Sequence, residues 1–79
     1  MSREEVLKKI IEFAAMAFKA DPAKITEDTK IAEELGVASV QRVALSASIE
    51  NDFDVMIPVA RMGKFATIGE LTDFVVDEM

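Results

Sequence analysis

The chain is short and acidic, with 79 residues, 15 Asp and Glu against 9 Lys and Arg, and a formal net charge of −6. This length fits one small domain spanning residues 1–79, and the charge disfavours nucleic-acid binding, which needs clustered cationic side chains. The absence of Cys and His excludes disulfides, thiolate metal sites and cysteine nucleophiles, and removes the commonest general base. Catalysis by this chain alone is not expected.

The first segment, from Ser2 to about Lys19, has the pattern of an amphipathic helix. Its Ser2-x-x-Glu5 start is a capping-box pattern, and apolar residues then recur at helical spacing. Met16 is expected to pack inside the bundle, and Asp21-Pro22 ends the helix. Two pairs are spaced for ion pairing on the outer face: Glu4 with Lys8 and Glu5 with Lys9. The apolar run is too short for a secretory signal or a membrane span, so a cytoplasmic location is expected.

A long loop, residues 21–38, follows, and we expect apolar anchors to hold it: Ile25, Ile31 and Leu35. The second helix should run from about Ser39 to Asp52, and its wheel has two apolar faces. One face consists of Leu45, Ile49 and Phe53. The opposite face consists of Val40, Val43, Ala44 and Ala47. One face can pack on the core, whereas the other is either also buried or a recognition surface for another protein.

The last third of the chain predicts two more helices. Pro58 suits the first turn of a short helix near Val59 to Gly63. Thr67-x-x-Glu70 is a second capping-box pattern, and it opens a last helix whose inward residues are Ile68, Leu71 and Val75. No strand-like alternation occurs. The sequence therefore predicts an all-α fold, a small four-helix bundle with three main helices and one short one.

Ser39 is the residue of most chemical interest. It follows a turn containing Gly36 and begins a helix, where free backbone N–H groups and the helix dipole favour an attached anion. Taken alone, a plain N-cap role explains it better, because Ser is a preferred capping residue. The paired carboxylates elsewhere lack a partner base and are interpreted as solvated charge.

The order of these parts resembles the acyl carrier protein family over nearly the whole chain. The stretch "EELGVASVQRV" takes the place of the Leu-Gly-x-Asp-Ser-Leu motif that opens the family's second helix. "ENDFDVMIP" is similar to the family's acidic-Phe-Asp segment ending in Ile-Pro, and "GKFATIGELTDFV" resembles its closing stretch and last helix. All three stretches occur at the spacing found in the family. The chain therefore resembles acyl carrier proteins, which implies a small four-helix bundle of that type.

The resemblance implies a carrier and not an enzyme. Ser39 stands where the family carries 4'-phosphopantetheine through a phosphodiester, and a phosphopantetheinyl transferase installs that arm from coenzyme A. The arm's thiol then holds an acyl group as a thioester and presents it to acyl-transferring or acyl-modifying enzymes of fatty-acid, lipid or secondary-metabolite biosynthesis. A monomer is expected, with no metal, nucleic-acid or membrane-spanning role.

The same resemblance implies a partner-contacting surface on the second helix. Its apolar positions are Val40, Val43 and Ala47. The predicted contact residues also include Glu50 on the same helix and Met62 near the short helix, where Met62 is expected to line the core or a groove. The small residues Ser46 and Ala47 are expected to leave room for an acyl chain between the helices.

Three departures from the family pattern point to a specialised carrier. Ala38 replaces the Asp that helps the transferase hold its metal ion and that can cap the second helix. Val40 replaces the motif Leu. The acidic rim is thin, with these residues where acids or neutral polar residues are usual: Gln41, Arg42, Ala44, Val59, Ala60 and Arg61. Two alternatives stay open, namely an unmodified docking module in which Ser39 only caps the helix, and an aminoacyl or peptidyl carrier.

Overall fold

A computed structural model describes residues 1–36 and 38–79. The side chain of Val59, predicted above to lie at the thin acidic rim, is outside the described part, as is Val37 of the motif. The four helices are α1 (Arg3–Phe18), α2 (Ser39–Phe53), α3 (Val59–Met62) and α4 (Ile68–Glu78), with a 3₁₀ turn at Pro22–Lys24 and a π-helical turn at Ile31–Leu35. The prediction of an all-α bundle with three main helices and one short helix is confirmed.

Both predicted capping sites begin helices. The Ser2 hydroxyl accepts a hydrogen bond from the Glu5 amide at 3.2 Å, and the Ser2 amide donates to the Glu5 carboxylate at 3.1 Å, which completes the capping box. The Ser2 hydroxyl also donates to the Glu5 carboxylate at 3.1 Å. The hydrogen bonds that the carboxylate accepts, from the Ser2 amide first and then from the Ser2 hydroxyl, hold the pKa of Glu5 below its usual range. At α4 the Thr67 hydroxyl accepts from the Glu70 amide at 3.2 Å.

The core lies where α1 packs against α4 and α2. Its fully buried apolar side chains include Val6, Ile10, Ala14, Leu45, Ile49, Ile68, Leu71 and Val75. Met16 was expected in this core, and that prediction is wrong, because its side chain is 68% exposed. It lies two residues beyond buried Ala14, which places it about 200° around the helix axis from the core face.

The ion pairs that involve α1 join it to other elements. The Lys9 ammonium lies 3.2 Å from the Asp52 carboxylate on α2, while its predicted helical partner Glu5 is engaged in the cap. Arg3 lies 2.7 Å from Asp73 on α4. Tertiary packing therefore selects partners that helical spacing alone does not show.

Three backbone hydrogen bonds fasten the long loop to the start of α4. The Ile31 amide donates to the Ala66 carbonyl at 3.0 Å, the Ile68 amide to Thr29 at 3.1 Å, and the Gly69 amide to Glu27 at 2.8 Å. The expected loop anchors Ile25 and Ile31 are buried, at 5% and 2% exposure, and Leu35 is half-buried. The loop is therefore held in place up to the turn that precedes α2.

Candidate functional site

Ser39 lies at the exposed N-terminal end of α2, and it is the first helical residue, not the cap. The cap position belongs to Ala38, whose backbone is extended (φ −65°, ψ 126°) and whose side chain makes no capping hydrogen bond. The first helical hydrogen bond runs from the Arg42 amide to the Ala38 carbonyl at 3.1 Å. The plain capping interpretation of Ser39 is therefore wrong in this structure, since a methyl group occupies the cap.

The helix start leaves backbone donors available beside the Ser39 hydroxyl. The first amides of an α-helix have no partner within the helix, and Ala38 supplies none from its side chain. The first turn of α2 contains no acidic residue. The local field of the helix end therefore favours a negative group attached to Ser39.

Gly36 shapes the turn that delivers the chain to this helix end. Its φ of 147° lies in a region that residues other than glycine rarely adopt. Its amide donates to the Ile31 carbonyl at 2.8 Å. A Cβ at this position would lie 3.4 Å from the Gln41 amide oxygen and 3.6 Å from the Phe18 ring. These are ordinary contact distances, so it is the backbone conformation of the turn, and not the space around it, that requires glycine here.

The second apolar face of α2 lies at the surface, so the possibility that it is buried is excluded for this structure. Val40 is 82% exposed and Val43 is 45% exposed, and Ala44 and Ala47 are exposed beside them. Leu45 and Ile49, on the opposite face, are fully buried. An exposed strip of this kind is typical of a helix that meets another protein.

Ser46 and Glu50 fasten the segment before α3 to α2. The buried Ser46 hydroxyl donates to the Ile57 carbonyl at 3.1 Å, and the half-buried Glu50 carboxylate accepts from the Ile57 amide at 2.8 Å. Both polar groups of one residue are thereby satisfied from one helix. Ser46 was expected to leave room for an acyl chain, but its hydroxyl is occupied in holding this segment.

Met62 differs from the other predicted contact residues. Its side chain is 1% exposed and packs in the core, so a partner cannot reach it in this conformation. We therefore leave Met62 out of the contact surface. Met56, on the segment that precedes α3, is 78% exposed.

Arg42 lies one turn after Ser39 and is half-buried. Its Nε atom is buried and has no hydrogen-bond partner among the described residues. Its Nη1 atom lies 3.1 Å from where a Cβ would stand on Gly63, at the end of α3. The sequence singled out Arg42 only as a departure from the acidic rim, because spacing along α2 does not reveal that α3 ends beside it.

The acidic residues near the site are engaged in local contacts or lie apart. The Glu34 carboxylate accepts from the Lys30 amide at 2.7 Å, and Glu33 lies 3.9 Å from the Lys30 ammonium. Across the described ranges 1–36 and 38–79, no group of three potential metal ligands is brought together. No helix in the same ranges has the length and apolar content to span a bilayer.

Comparisons with known proteins agree on one family. The family model described as the phosphopantetheine attachment site matches residues 8–75. An acyl carrier protein of Rubrobacter xylanophilus is 34% identical over 77 residues, covering 98% of this chain and 95% of the relative. The acyl carrier protein of Thermosynechococcus vestitus is 31% identical over 75 residues, covering 95% of this chain and 93% of its own. That of Thermotoga maritima is 28% identical over 74 residues, covering 94% and 91%.

Proposed function

This chain belongs to the acyl carrier protein family, and on that premise we propose that its covalent 4'-phosphopantetheine arm is attached through the Ser39 hydroxyl. Family membership makes it a carrier and not an enzyme. The observation that supports Ser39 is its position as an exposed first residue of α2 that is not used as the helix cap. Within the described residues, the attachment residue thus has no capping role that modification would disturb.

The residues around Ser39 fit a phosphodiester. The uncapped amides and the dipole of α2 favour an anion there, and the first turn adds no carboxylate to repel it. When bound, the arm supplies a thiol that holds an acyl group as a thioester. Since the chain has no Cys and no His, that thiol is chemistry that its own side chains cannot provide.

The exposed apolar strip of α2 is the proposed contact surface for partner enzymes. Val40, Val43 and Ala47 present apolar atoms beside the attachment site, where a partner that takes up the arm must approach. Glu50 stays within this surface, although one of its carboxylate oxygens accepts from the Ile57 amide. The expected partners are a phosphopantetheinyl transferase and enzymes that transfer or modify acyl groups.

Ala38 and the thin acidic rim favour a specialised carrier with its own partners over a general carrier of fatty-acid synthesis. The first turn of α2 has no acid, and Arg42 and Arg61 are basic where the family often has acidic or neutral polar residues. A basic docking patch on a partner would find little to pair with here. We place its pathway in fatty-acid, lipid or secondary-metabolite biosynthesis.

A second candidate is an unmodified docking module of the same fold, and Ala38 is the observation that favours it. In the family the acidic residue at this position assists the transferase, so its loss would suit a chain that is never modified. An aminoacyl or peptidyl carrier shares the fold and the attachment residue. These three functions differ in whether Ser39 is modified and in what the thiol accepts.

The deciding experiment is the intact mass of the protein after co-expression with a phosphopantetheinyl transferase. We expect a mass increase of one phosphopantetheine that Ser39→Ala abolishes and that Ser48→Ala, another serine of α2, leaves unchanged. Failure of several transferases to modify the protein would favour the docking module. Offering acyl and aminoacyl donors to the modified protein then separates the two carrier functions.

A further inference from the structure

The three arginines of the chain have very different surroundings. Arg3 is paired, with its guanidinium 2.7 Å from Asp73 and 3.3 Å from Glu27. The Arg61 guanidinium lies 4.8 Å from the centroid of the Phe74 ring, a cation–π contact. Among the described residues, Arg42 forms no ion pair and its buried Nε–H finds no acceptor. Arg42 therefore remains a cation with a hydrogen-bond donor that the described residues do not satisfy.

Two small residues shape the surroundings of this cation. Gly63 has no side chain, so the Arg42 guanidinium can lie against the end of α3, where a Cβ would stand 3.1 Å from Nη1. Ala38 lies four residues before Arg42 on the same helix face and offers no carboxylate to pair with it. An acid there, as in the family pattern, would give Arg42 an internal partner.

Arg42 also lies three residues after Ser39, and residues at that spacing are neighbours on a helix surface. A phosphodiester on the Ser39 oxygen is ionised at neutral pH, and guanidinium groups bind phosphate oxygens through charge-assisted, often paired hydrogen bonds. A buried N–H without an acceptor is destabilising, and an attached oxyanion would relieve it.

We propose that Arg42 is a positioning residue that binds the phosphodiester of the arm on Ser39. This inference rests on the proposed attachment at Ser39. Binding would replace the missing side-chain cap of α2 with an anion held from both sides, by the helix amides and by the guanidinium. It would also reduce the number of directions in which the arm leaves the protein.

The test uses the Nε–H resonances of the three arginines in ¹⁵N-labelled protein, before and after transferase-catalysed modification. We expect the Arg42 resonance to shift by more than its linewidth and the Arg3 and Arg61 resonances to stay in place. The ³¹P resonance of the arm should shift when Arg42→Gln is introduced, recover in part with Arg42→Lys, and be unaffected by Arg61→Gln. An unmoved Arg42 resonance, or equal ³¹P shifts in all three variants, would overturn the proposal.

A second experiment does not depend on any transferase. Because the chain has no cysteine, Ser39→Cys provides a unique thiol that can be alkylated with 2-bromoethylphosphonate or, as the neutral match, with 2-iodoethanol. The proposal expects the Arg42 resonance to shift with the phosphonate and not with the alcohol. If transferases fail but this shift occurs, attachment at Ser39 is in doubt and the oxyanion site of Arg42 stands. If both adducts leave the resonance unchanged, the site itself is refuted.

Discussion

Restoring an acid at the cap of α2 is the most informative single change to this protein. In Ala38→Asp the new carboxylate would stand at a residue whose backbone is already extended, as a cap requires (φ −65°, ψ 126°). It can accept from the amides of Val40 or Gln41, which follow in the first turn and have no partner within the helix. We expect the substitution both to stabilise the domain and to raise its modification by a phosphopantetheinyl transferase.

The size of the stability effect follows from the local geometry. Replacing an alanine cap by Asp contributes about 1 kcal/mol, and a negative charge at a helix N-terminus adds about 0.3–1 kcal/mol. For a domain of this size, each kcal/mol raises the melting temperature by about 4–8 °C. Ala38→Asp should therefore melt several degrees higher than the unsubstituted protein.

Ala38→Asn separates the two effects, because Asn caps a helix about as well as Asp but carries no charge. Thermal unfolding followed by far-UV circular dichroism measures the first effect, and the initial rate of phosphopantetheine transfer, followed by intact mass, measures the second. We expect both variants to raise the melting temperature and only Ala38→Asp to raise the rate.

Two results would refute this reasoning. If neither variant raises the melting temperature, Ala38 is not a cap whose free amides can be satisfied from its side chain. If Ala38→Asn accelerates modification as much as Ala38→Asp, helix capping and not the acidic charge limits the transferase. An unchanged rate in both variants would mean that Ala38 is not the weak step in recognition.

Three further predictions test the core, a buried hydrogen bond and a titrating group. Leu45→Ala should lower the free energy of unfolding in urea by about 2–5 kcal/mol, because Leu45 is fully buried. Val40→Ala, at 82% exposure, should change it little, and a similar loss in both variants would contradict the assignment of the two α2 faces. Ser46→Ala should cost about 1–3 kcal/mol, because it leaves the Ile57 carbonyl without its buried donor; a loss no larger than that of Val40→Ala would show that this bond is dispensable. Folding lowers the pKa of Glu5 from its ordinary 4.5, so its stabilisation is complete above that pH and is lost as the pH falls through the folded value. The difference in melting temperature between the protein and Glu5→Gln should therefore shrink below pH 4.5, and a difference that is constant down to pH 2 would contradict the shift.

Local sequence signals predicted the helix starts and the inner face of α2 because their causes are local. The capping box at Ser2 needs only a residue three positions away, and the burial of Leu45 and Ile49 follows from helical period. The prediction that Met16 is buried was wrong because it rested on the apolar character of the side chain and not on the position of Met16 around the helix. Met62 was assigned to the contact surface but is buried, because a four-residue helix has too few turns to show which side is inner.

The candidate site was predictable in position but not in its surroundings. The family resemblance pointed to Ser39 as the attachment residue. Only the backbone geometry shows that Ala38, and not Ser39, is the N-cap of α2. The attachment of Ile57 to Ser46 and Glu50, and the placement of Arg42 against Gly63, join α2 to residues outside that helix. No spacing along one helix encodes such contacts, because they depend on how α2 and the segment containing α3 pack.

The packing of α1 against α4, the last helix of the chain, has a consequence for synthesis on the ribosome. The core around Val6 and Ile10 is complete only when α4 has left the exit tunnel, and the loop that follows α1 is fastened to the same late helix. A nascent chain that ends before Ile68 can pack α1 against α2, but it leaves the side of α1 that meets α4 uncovered. We expect this domain to acquire its structure late and in one step, after translation has passed α4, and not helix by helix as the chain emerges.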